Sequence, residues 1–427
     1  MKQPVIAPSE TSRDTDLPPV FEANLPSRHL QSRLWRAVFR WSTLVGIVFL
    51  SLLLYNIANQ SFGYVAIGNQ INPASLAANG VNLQELDQQT LIEILTANIS
   101  SGLLRQLERE GPLTKYSRDE VYNLVVEKVV RPEVVQTWTL IDSLFHAAEI
   151  RAQAAQEDPQ AELHFRSWVT PRLLSVPQSS NPLMAGVRTA LLGSLWTTAI
   201  TVLVAFPVGV GAAIYLEEYS VQNWLTRLIQ TNINNLAGVP SIIYGMLGLA
   251  IFVRSLEPIT SGAAFGFSDP TTSNGRTILS AGLTLGLLVL PLIIINAQQA
   301  IRAVPASLRH ASYGVGATKW ETVWHHVLPC AMPGVLTGTI LAISRAIGET
   351  APLVVVGVAT YITFDPSGPF SKFTTLPIQI YQWTSRPQAE FRNLAAAAIL
   401  TLLGLLLGLN ALAIVLRNHF RRAGGNL

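Results

Sequence analysis

Two charged residues, Arg345 and Glu349, lie within an apolar stretch of the chain. A charged side chain at the centre of a bilayer costs about 2.5–3.5 kcal/mol, even on scales from insertion experiments, which give the lowest values. The spacing of four residues predicts that both side chains share one helix face and pair, and Pro352 is predicted to interrupt the helix after them. The Arg345 guanidinium can hold two oxygens of an oxyanion, and Thr350 can add a hydroxyl donor. The pattern allows a static ion pair but favours a pathway for an oxyanion. Arg302 lies at the end of another apolar run. It is interpreted as an interfacial anchor or, alternatively, as part of that pathway.

The composition places these residues in a membrane protein. Hydrophobic residues make up 49% of the chain and charged residues 13%, whereas soluble domains carry about 25% charged residues. Six runs approach the length of about 20 apolar residues that a span requires. They cover residues 37–58, 189–215, 235–255, 279–300, 332–358 and 394–416. Because backbone polar groups in lipid must be satisfied within each span, the sequence predicts an all-α integral membrane protein with six transmembrane helices.

Basic residues at both ends of the chain predict its topology. Residues 1–36 are polar and contain prolines, which is typical of a disordered tail, and residues 417–427 form a second tail. The flanking arginines are Arg33, Arg36, Arg40, Arg417, Arg421 and Arg422. Such residues favour the cytoplasmic side, so both termini are predicted to be cytoplasmic.

A long insertion, residues 59–188, separates the first two spans and is predicted to be extracytoplasmic. Leu91, Leu95, Ile99 and Leu103 recur every four residues, which indicates a helix. The sequence therefore predicts a small helical domain. Its role is interpreted as structural or docking, with ligand sensing as the alternative, and residues 189–416 form the remaining five-helix unit.

The loop 301–330, between the fourth and fifth spans, has the pattern of two short helices. Pro305 favours a helix start, and Gly316 lies where that helix should end. Thr318 and Glu321 have the spacing of a capping box, which predicts a second helix, and Pro329 is predicted to close that helix near the membrane. A rigid helix-turn-helix suits docking into a groove of a partner, although a plain connector between spans is the alternative.

This loop resembles the coupling motif of binding-protein-dependent ABC importer permeases. The family pattern is Glu-Ala-Ala, three residues, Gly, nine residues, Ile, any residue and Leu-Pro. Ala311, Gly316, Leu328 and Pro329 match it, whereas His310, Ser312 and His326 depart from it. The resemblance implies that the loop fits a cleft in an ATP-binding subunit. The residues it assigns to that surface are His310, Ala311, Ser312, Gly316, Ala317, Leu328 and Pro329.

Three further segments resemble the PstA-type phosphate permease: Pro207–Tyr219, Leu236–Gly245 and Arg345–Leu353. The resemblance covers roughly residues 187–416. It implies a type I importer permease fold in the cytoplasmic (inner) membrane. It also implies transport of inorganic phosphate, a second permease subunit, a dimer of ATP-binding subunits and an extracytoplasmic phosphate-binding protein.

Other function classes are less compatible with the sequence. We find no Gly-x-x-x-x-Gly-Lys-Ser/Thr loop and no nucleophile motif, so the chain is predicted not to be an enzyme and a separate subunit is expected to hydrolyse ATP. His310, His325 and His326 lack supporting ligands, so neither a metal nor another cofactor is predicted. The net charge of +3 does not indicate a nucleic-acid partner. A permease for sulfate or molybdate, and a membrane receptor with a sensing domain, stay as alternatives.

Overall fold

The computed structural model describes residues 25–424 apart from 72, 77–81, 105–112, 114–115, 158–160, 268–273, 359–361 and 363. It divides into two units, Met1–Tyr55 and Asn56–Leu427. The first helix, α1, covers Leu25–Ser61 and so begins well before the predicted start at residue 37. Residues 1–24 of the predicted disordered tail lie outside the described residues. The prediction was wrong for residues 25–36, because this polar stretch lacks an internal glycine or further proline after Pro26 and continues the helix.

The insertion after α1 is a mixed domain in which the described residues form three strands and several short helices. In chain order these are β1 (Phe62–Asn69), α2 (Gln88–Asn98), α3 (Arg118–Val125), β2 (Pro132–Thr137), α4 (Leu140–Phe145), α5 (Ala147–Glu157), β3 (Glu162–Ser167) and α6 (Pro171–Ser175). A π-helical turn, Val126–Val130, extends α3. The predicted helical repeat is confirmed in α2, where Leu91 and Leu95 are fully buried.

The prediction of a purely helical insertion was wrong because it missed the sheet. The strand order is β2-β1-β3, and both pairs are antiparallel. Val65 on the central strand pairs with Thr137 of β2 and with His164 of β3. Partners this far apart in the chain leave no local periodicity by which sequence reasoning could find them.

The insertion shares a hydrophobic core with the last two helices of the chain, α16 (Leu376–Thr384) and α17 (Ala389–Gly424). Val65, Val134 and Trp168 of the insertion belong to the same buried cluster as Trp383 and Phe391. Apolar burial is the main stabilising term in folding, so this shared core fixes the insertion on the bundle.

The other helices of the bundle precede these two in the chain. They are α7 (Arg188–Ile214), α8 (Trp224–Leu236), α9 (Ser241–Gly248), α10 (Glu257–Thr260), α11 (Ile278–Arg302), α12 (Ala306–Gly314), α13 (Lys319–Thr322), α14 (Leu328–Gly348) and α15 (Ala351–Val356). Among the described residues, five helices are long and apolar enough to cross a membrane, and the number rises to six when one bent pair is counted as a span. The predicted number of spans is therefore confirmed.

The bent pair replaces the single helix predicted over residues 235–255. Helix α8 and the helix that runs from Ser241 to Ser255 meet at an angle of 107°. The break contains Gly238 and Pro240, and Pro240 immediately precedes α9. Proline has no N–H to donate and disfavours helical backbone in the residue before it, so one straight helix cannot form.

Close glycine contacts give the relative direction of two helices, α11 and α14. A Cβ on Gly334 of α14 would lie 2.8 Å from Ala300 of α11, and a Cβ on Gly338 would lie 2.3 Å from Asn296 of the same helix. Residue numbers therefore rise along α14 as they fall along the facing α11, and the two helices are antiparallel. The same register places Arg345 opposite the region of residue 289.

Candidate functional site

The helix that carries Arg345 is interrupted at Glu349. Helix α14 ends at Gly348, and Glu349 has extended backbone angles, φ −74° and ψ 127°. Helix α15 then begins at Ala351 with Pro352 in its first turn. Pro352 lacks the N–H that would bond to the carbonyl of Gly348, and its ring would clash there. The predicted interruption of the helix at Pro352 is therefore confirmed, but the break begins at Glu349, so the prediction that Glu349 lies inside the helix was wrong.

The predicted pair nevertheless forms across this interruption. Arg345 Nε lies 3.2 Å from Glu349 Oε1, and the Arg345 and Glu349 side chains are 46% and 17% exposed. Within the described part of the chain this is the one hydrogen bond of the Arg345 guanidinium, so its Nη donors are available to another group. Thr350, the residue before α15, makes no capping hydrogen bond with its side chain. The three residues, which we call the interruption site, lie together.

The second broken helix packs against α15, immediately after the interruption site. A Cβ on Gly245 of α9 would lie 2.6 Å from Pro352 Cα and 2.9 Å from its carbonyl oxygen, so only glycine permits this approach. Tyr244, beside Gly245, is buried and donates from its hydroxyl to the Leu236 carbonyl at 2.7 Å, across the 107° bend. The structure thus brings together the two segments, Leu236–Gly245 and Arg345–Leu353, that sequence reasoning treated separately. Helix interruptions in a membrane are tolerated where they line a cavity or are buried in protein.

The loop 301–330 has the predicted helix-turn-helix. Helix α12 ends at Gly314, and Gly316 has a left-handed backbone, φ +88°, which explains the glycine at this position. Thr318 accepts from Glu321 N while the Glu321 side chain accepts from Thr318 N, so the predicted capping box is confirmed. Pro329 was predicted to close the second helix.

That prediction for Pro329 was wrong. Helix α13 passes through a π-helical turn, Val323–Val327, directly into α14, and Pro329 lies in the first turn of α14. Because Pro329 lacks an N–H, it leaves one carbonyl of the preceding turn without its usual partner, and the π-helical turn with its altered hydrogen bonding lies just before it. The second helix of the loop and the fifth span are therefore continuous.

The residues assigned to the docking surface differ in exposure. His310, Ala311 and Gly316 are exposed, whereas Leu328 is buried and Ala317 and Pro329 are partly buried. Ser312, which replaces an alanine of the family pattern, is buried, and its Oγ lies 2.9 Å from Thr322 Oγ1. The serine thus holds α12 against α13, and its carbonyl accepts from Ala317 N at 3.2 Å.

Two ion pairs that sequence reasoning missed hold this loop to the end of α7. Arg302 Nε and Nη2 donate to the two carboxylate oxygens of Glu217, both at 2.7 Å. Arg309 of α12 donates to Glu218 Oε1 from Nε at 3.1 Å and from Nη2 at 2.7 Å. Both glutamates lie in the π-helical turn Tyr215–Tyr219 that extends α7. We call these four residues the carboxylate–guanidinium cluster.

Arg302 therefore does not join the interruption site. The register of α11 with α14 puts Arg345 opposite residue 289, thirteen residues from Arg302, which is about 20 Å along a helix. The interpretation of Arg302 as part of the same oxyanion site is thus not supported by its position. A sequence signal for its actual partner existed, since Glu217 and Glu218 are adjacent acidic residues at the end of an apolar run.

Comparison with known proteins gives these two sites a context. Residues 205–423, just over half of the chain, match the profile of the family described as binding-protein-dependent transport system inner membrane component. The chain belongs to this family. It is accordingly a multi-pass membrane component of a transport system, and the predicted importer permease fold is confirmed.

Several relatives bear on the subtype. The chain is 35% identical to the probable ABC transporter permease protein YqgI of Bacillus subtilis over 199 residues, which cover 46% of this chain and 62% of that protein. It is 34% identical to the phosphate transport system permease protein PstA 1 of Mycobacterium tuberculosis over 234 residues, 54% of this chain and 70% of the relative. The predicted resemblance to PstA-type permeases is therefore confirmed. Among solved structures, the chain is similar to a chain of an inward-facing structure of the MetNI methionine ABC transporter, with 22% sequence identity and a TM-score of 0.40. The match covers 58% of this chain and 99% of the matched chain.

Proposed function

We propose that this chain is a permease subunit of an ATP-driven importer that translocates inorganic phosphate. The observation that carries the proposal is the Arg345–Glu349 pair at a helix interruption, in a chain that resembles proteins named as phosphate transport permeases. The chain performs no covalent chemistry on the substrate in this proposal. Its helices gate a pathway, and a separate subunit hydrolyses ATP.

Arg345 is proposed to bind the oxyanion in the pathway. Its Nη donors are not used by Glu349, which contacts Nε, and a guanidinium fork matches two oxygens of a phosphate group. The neighbouring carboxylate of Glu349 lowers the net charge of the site, so that the anion binds and then leaves. Thr350 supplies a further hydroxyl donor.

Glu349 is also proposed to give selectivity among oxyanions. Phosphate near neutral pH retains at least one proton and can donate a hydrogen bond to a carboxylate, whereas fully ionised sulfate can only accept. A sulfate or molybdate dianion placed against Glu349 would meet an acceptor and a like charge. The alternative of sulfate or molybdate transport is therefore disfavoured by the carboxylate.

The loop 301–330 is proposed to transmit movement from the ATP-binding subunit. Its exposed face carries Trp320 and Trp324, whose rings stack with centroids 5.3 Å apart. Because α13 is continuous with α14, a displacement of the loop would act on the helix that ends at the interruption site. A second permease subunit, a dimer of ATP-binding subunits and an extracytoplasmic phosphate-binding protein complete the proposed complex. Both termini are proposed to be cytoplasmic, and the insertion after α1 extracytoplasmic.

The competition between phosphate and sulfate tests this assignment. In membrane vesicles that contain the assembled complex, Glu349→Gln is expected to reduce the preference for phosphate over sulfate, because the amide can donate to sulfate. The control is Glu93→Gln, which removes an exposed carboxylate of α2 outside the membrane. Unchanged selectivity in Glu349→Gln would contradict the proposed role of this carboxylate. Uptake of sulfate but not of phosphate by the wild type would contradict the assignment of phosphate as the substrate.

A further inference from the structure

Two arginines of the insertion, Arg166 and Arg172, converge on one short loop. Arg166 Nη2 donates to the carbonyl oxygen of Leu183 at 3.1 Å. Arg172 Nη2 lies 3.0 Å from Sδ of Met184, the next residue. Two guanidinium groups that reach adjacent residues of one loop are close neighbours, although each comes from a different element, β3 and α6.

The two positive charges are not neutralised by the described part of the protein. Neither arginine has a carboxylate within salt-bridge distance among the described residues. Arg166 is partly buried over the ring of Trp168, 4.9 Å from its centroid, and its Nε has no hydrogen-bond partner in that part of the chain. Burial and then the like charge of Arg172 lower the pKa of Arg166. A bound anion would relieve this repulsion and accept from the unused donors.

This arginine pair lies where membrane helices end. Trp168 N donates to the carbonyl of Ser61, the last residue of α1, at 3.0 Å. At the other side, the carbonyl of Leu173 accepts from Val187 N at 2.7 Å, directly before α7 begins at Arg188. The segment between these contacts is therefore tied to the end of α1 and to the start of α7, two helices that are long and apolar enough to cross a membrane.

The exposed surface of the same segment contains apolar side chains. Val169 and Leu174 are 40% and 45% exposed and flank Arg172 in the chain. Long cationic side chains at a membrane surface place their charge among the headgroups while neighbouring apolar groups contact acyl chains. Phospholipid headgroups offer the phosphate oxygens that a guanidinium fork binds.

The geometry points to a site at which Arg166 and Arg172 bind the phosphate group of a phospholipid in the adjacent leaflet. The site is distinct from the interruption site and does not depend on which substrate the protein transports. Bound lipid would fix the contact between β3, α6 and the start of α7, which are among the elements that join the insertion to the bundle.

The test is a lipid titration of the delipidated full-length protein in detergent, followed by native mass spectrometry. Phosphatidylglycerol is expected to bind about tenfold more weakly to Arg172→Gln than to the wild type, as loss of a charged hydrogen bond predicts. Arg172 is exposed, so its replacement does not threaten the fold. The matched control, Arg151→Gln, removes an exposed arginine of α5 and should leave lipid binding unchanged.

Two results would overturn the proposal. Equal lipid affinity in Arg172→Gln, Arg151→Gln and the wild type would show that the arginine pair is not a lipid site. If Arg172→Gln instead weakened only the binding of radiolabelled inorganic phosphate, measured by equilibrium dialysis, the site would belong to the free anion. Arg172→Lys, which keeps the charge but not the fork, is expected to fall between the wild type and Arg172→Gln.

Discussion

The two ion pairs of the carboxylate–guanidinium cluster should contribute unequally to the attachment of the loop 301–330. The Glu218 and Arg309 side chains are 7% and 19% exposed, whereas those of Glu217 and Arg302 are 12% and 62% exposed. Arg309 also donates to the carbonyls of Val304 and Ile301, at 2.8 and 3.0 Å. It therefore ties α12 to both the end of α11 and the end of α7.

The difference in exposure sets the expected magnitudes. Exposed ion pairs contribute about 0.2–1 kcal/mol, whereas hydrogen bonds to charged groups with little solvent access contribute about 1.5–3 kcal/mol. We expect an interaction free energy of about 2 kcal/mol for Glu218–Arg309 and less than about 1 kcal/mol for Glu217–Arg302. An interaction of about 2 kcal/mol changes a local opening equilibrium about 30-fold.

Two double-mutant cycles measure these energies. Hydrogen exchange of the α12 amides, Ala306–Gly314, is followed in Glu218→Gln, Arg309→Gln and the double variant, and the opening free energies are compared. Glu217 and Arg302 provide the matched second cycle. Glu218→Gln alone is expected to lower the opening free energy by more than the interaction energy, because it leaves a buried guanidinium without its counter-charge. Equal interaction energies in the two cycles, or none for Glu218–Arg309, would refute the reasoning from burial.

Two glycines give further predictions. Gly245→Ala should destabilise the packing of α9 on α15 by about 1–3 kcal/mol, because the added Cβ would lie 2.6 Å from the backbone of Pro352. The expected result is faster hydrogen exchange of the α15 amides. Unchanged exchange would contradict the close approach. Gly316→Ala meets no atom within 4 Å but must adopt φ +88°, so it should destabilise the turn by about 1–2 kcal/mol. Exchange of the turn amides should rise in Gly316→Ala, while Gly314→Ala, at a helical and equally open position, serves as its control.

The spans were the most predictable part of the fold. Apolar runs predicted residues 189–215 and 279–300, and the helices Arg188–Ile214 and Ile278–Arg302 agree closely, because a bilayer imposes both length and composition. The two interruptions were predicted less completely. Pro352 was predicted to interrupt its helix, but neither the start of that break at Glu349 nor the bend before Pro240 was predicted. Whether a proline kinks a helix or starts a new one depends on the neighbours that satisfy the freed carbonyls.

Contacts between distant residues were not predictable. The three strands of the insertion pair residues such as Val65 and Thr137, and no local sequence pattern predicts such partners. Glu217 and Arg302 are 85 residues apart, and Glu218 and Arg309 are 91 apart. Arg302 was consequently interpreted as an interfacial anchor or, alternatively, as part of the pathway, and its carboxylate partner was missed. By contrast, the Arg345–Glu349 pair was predictable because both partners lie within about one helical turn.

The most direct test of the proposed function is radiolabelled phosphate uptake by vesicles that contain the assembled complex, with Arg345→Gln compared with the wild type at equal membrane abundance. Arg151→Gln, in the insertion, controls for the loss of one positive charge. We predict that uptake by Arg345→Gln falls at least about tenfold, as loss of a charged hydrogen bond to the anion requires, while the complex stays assembled. Wild-type uptake by Arg345→Gln would contradict the account and would make the Arg345–Glu349 pair a static link across the helix interruption.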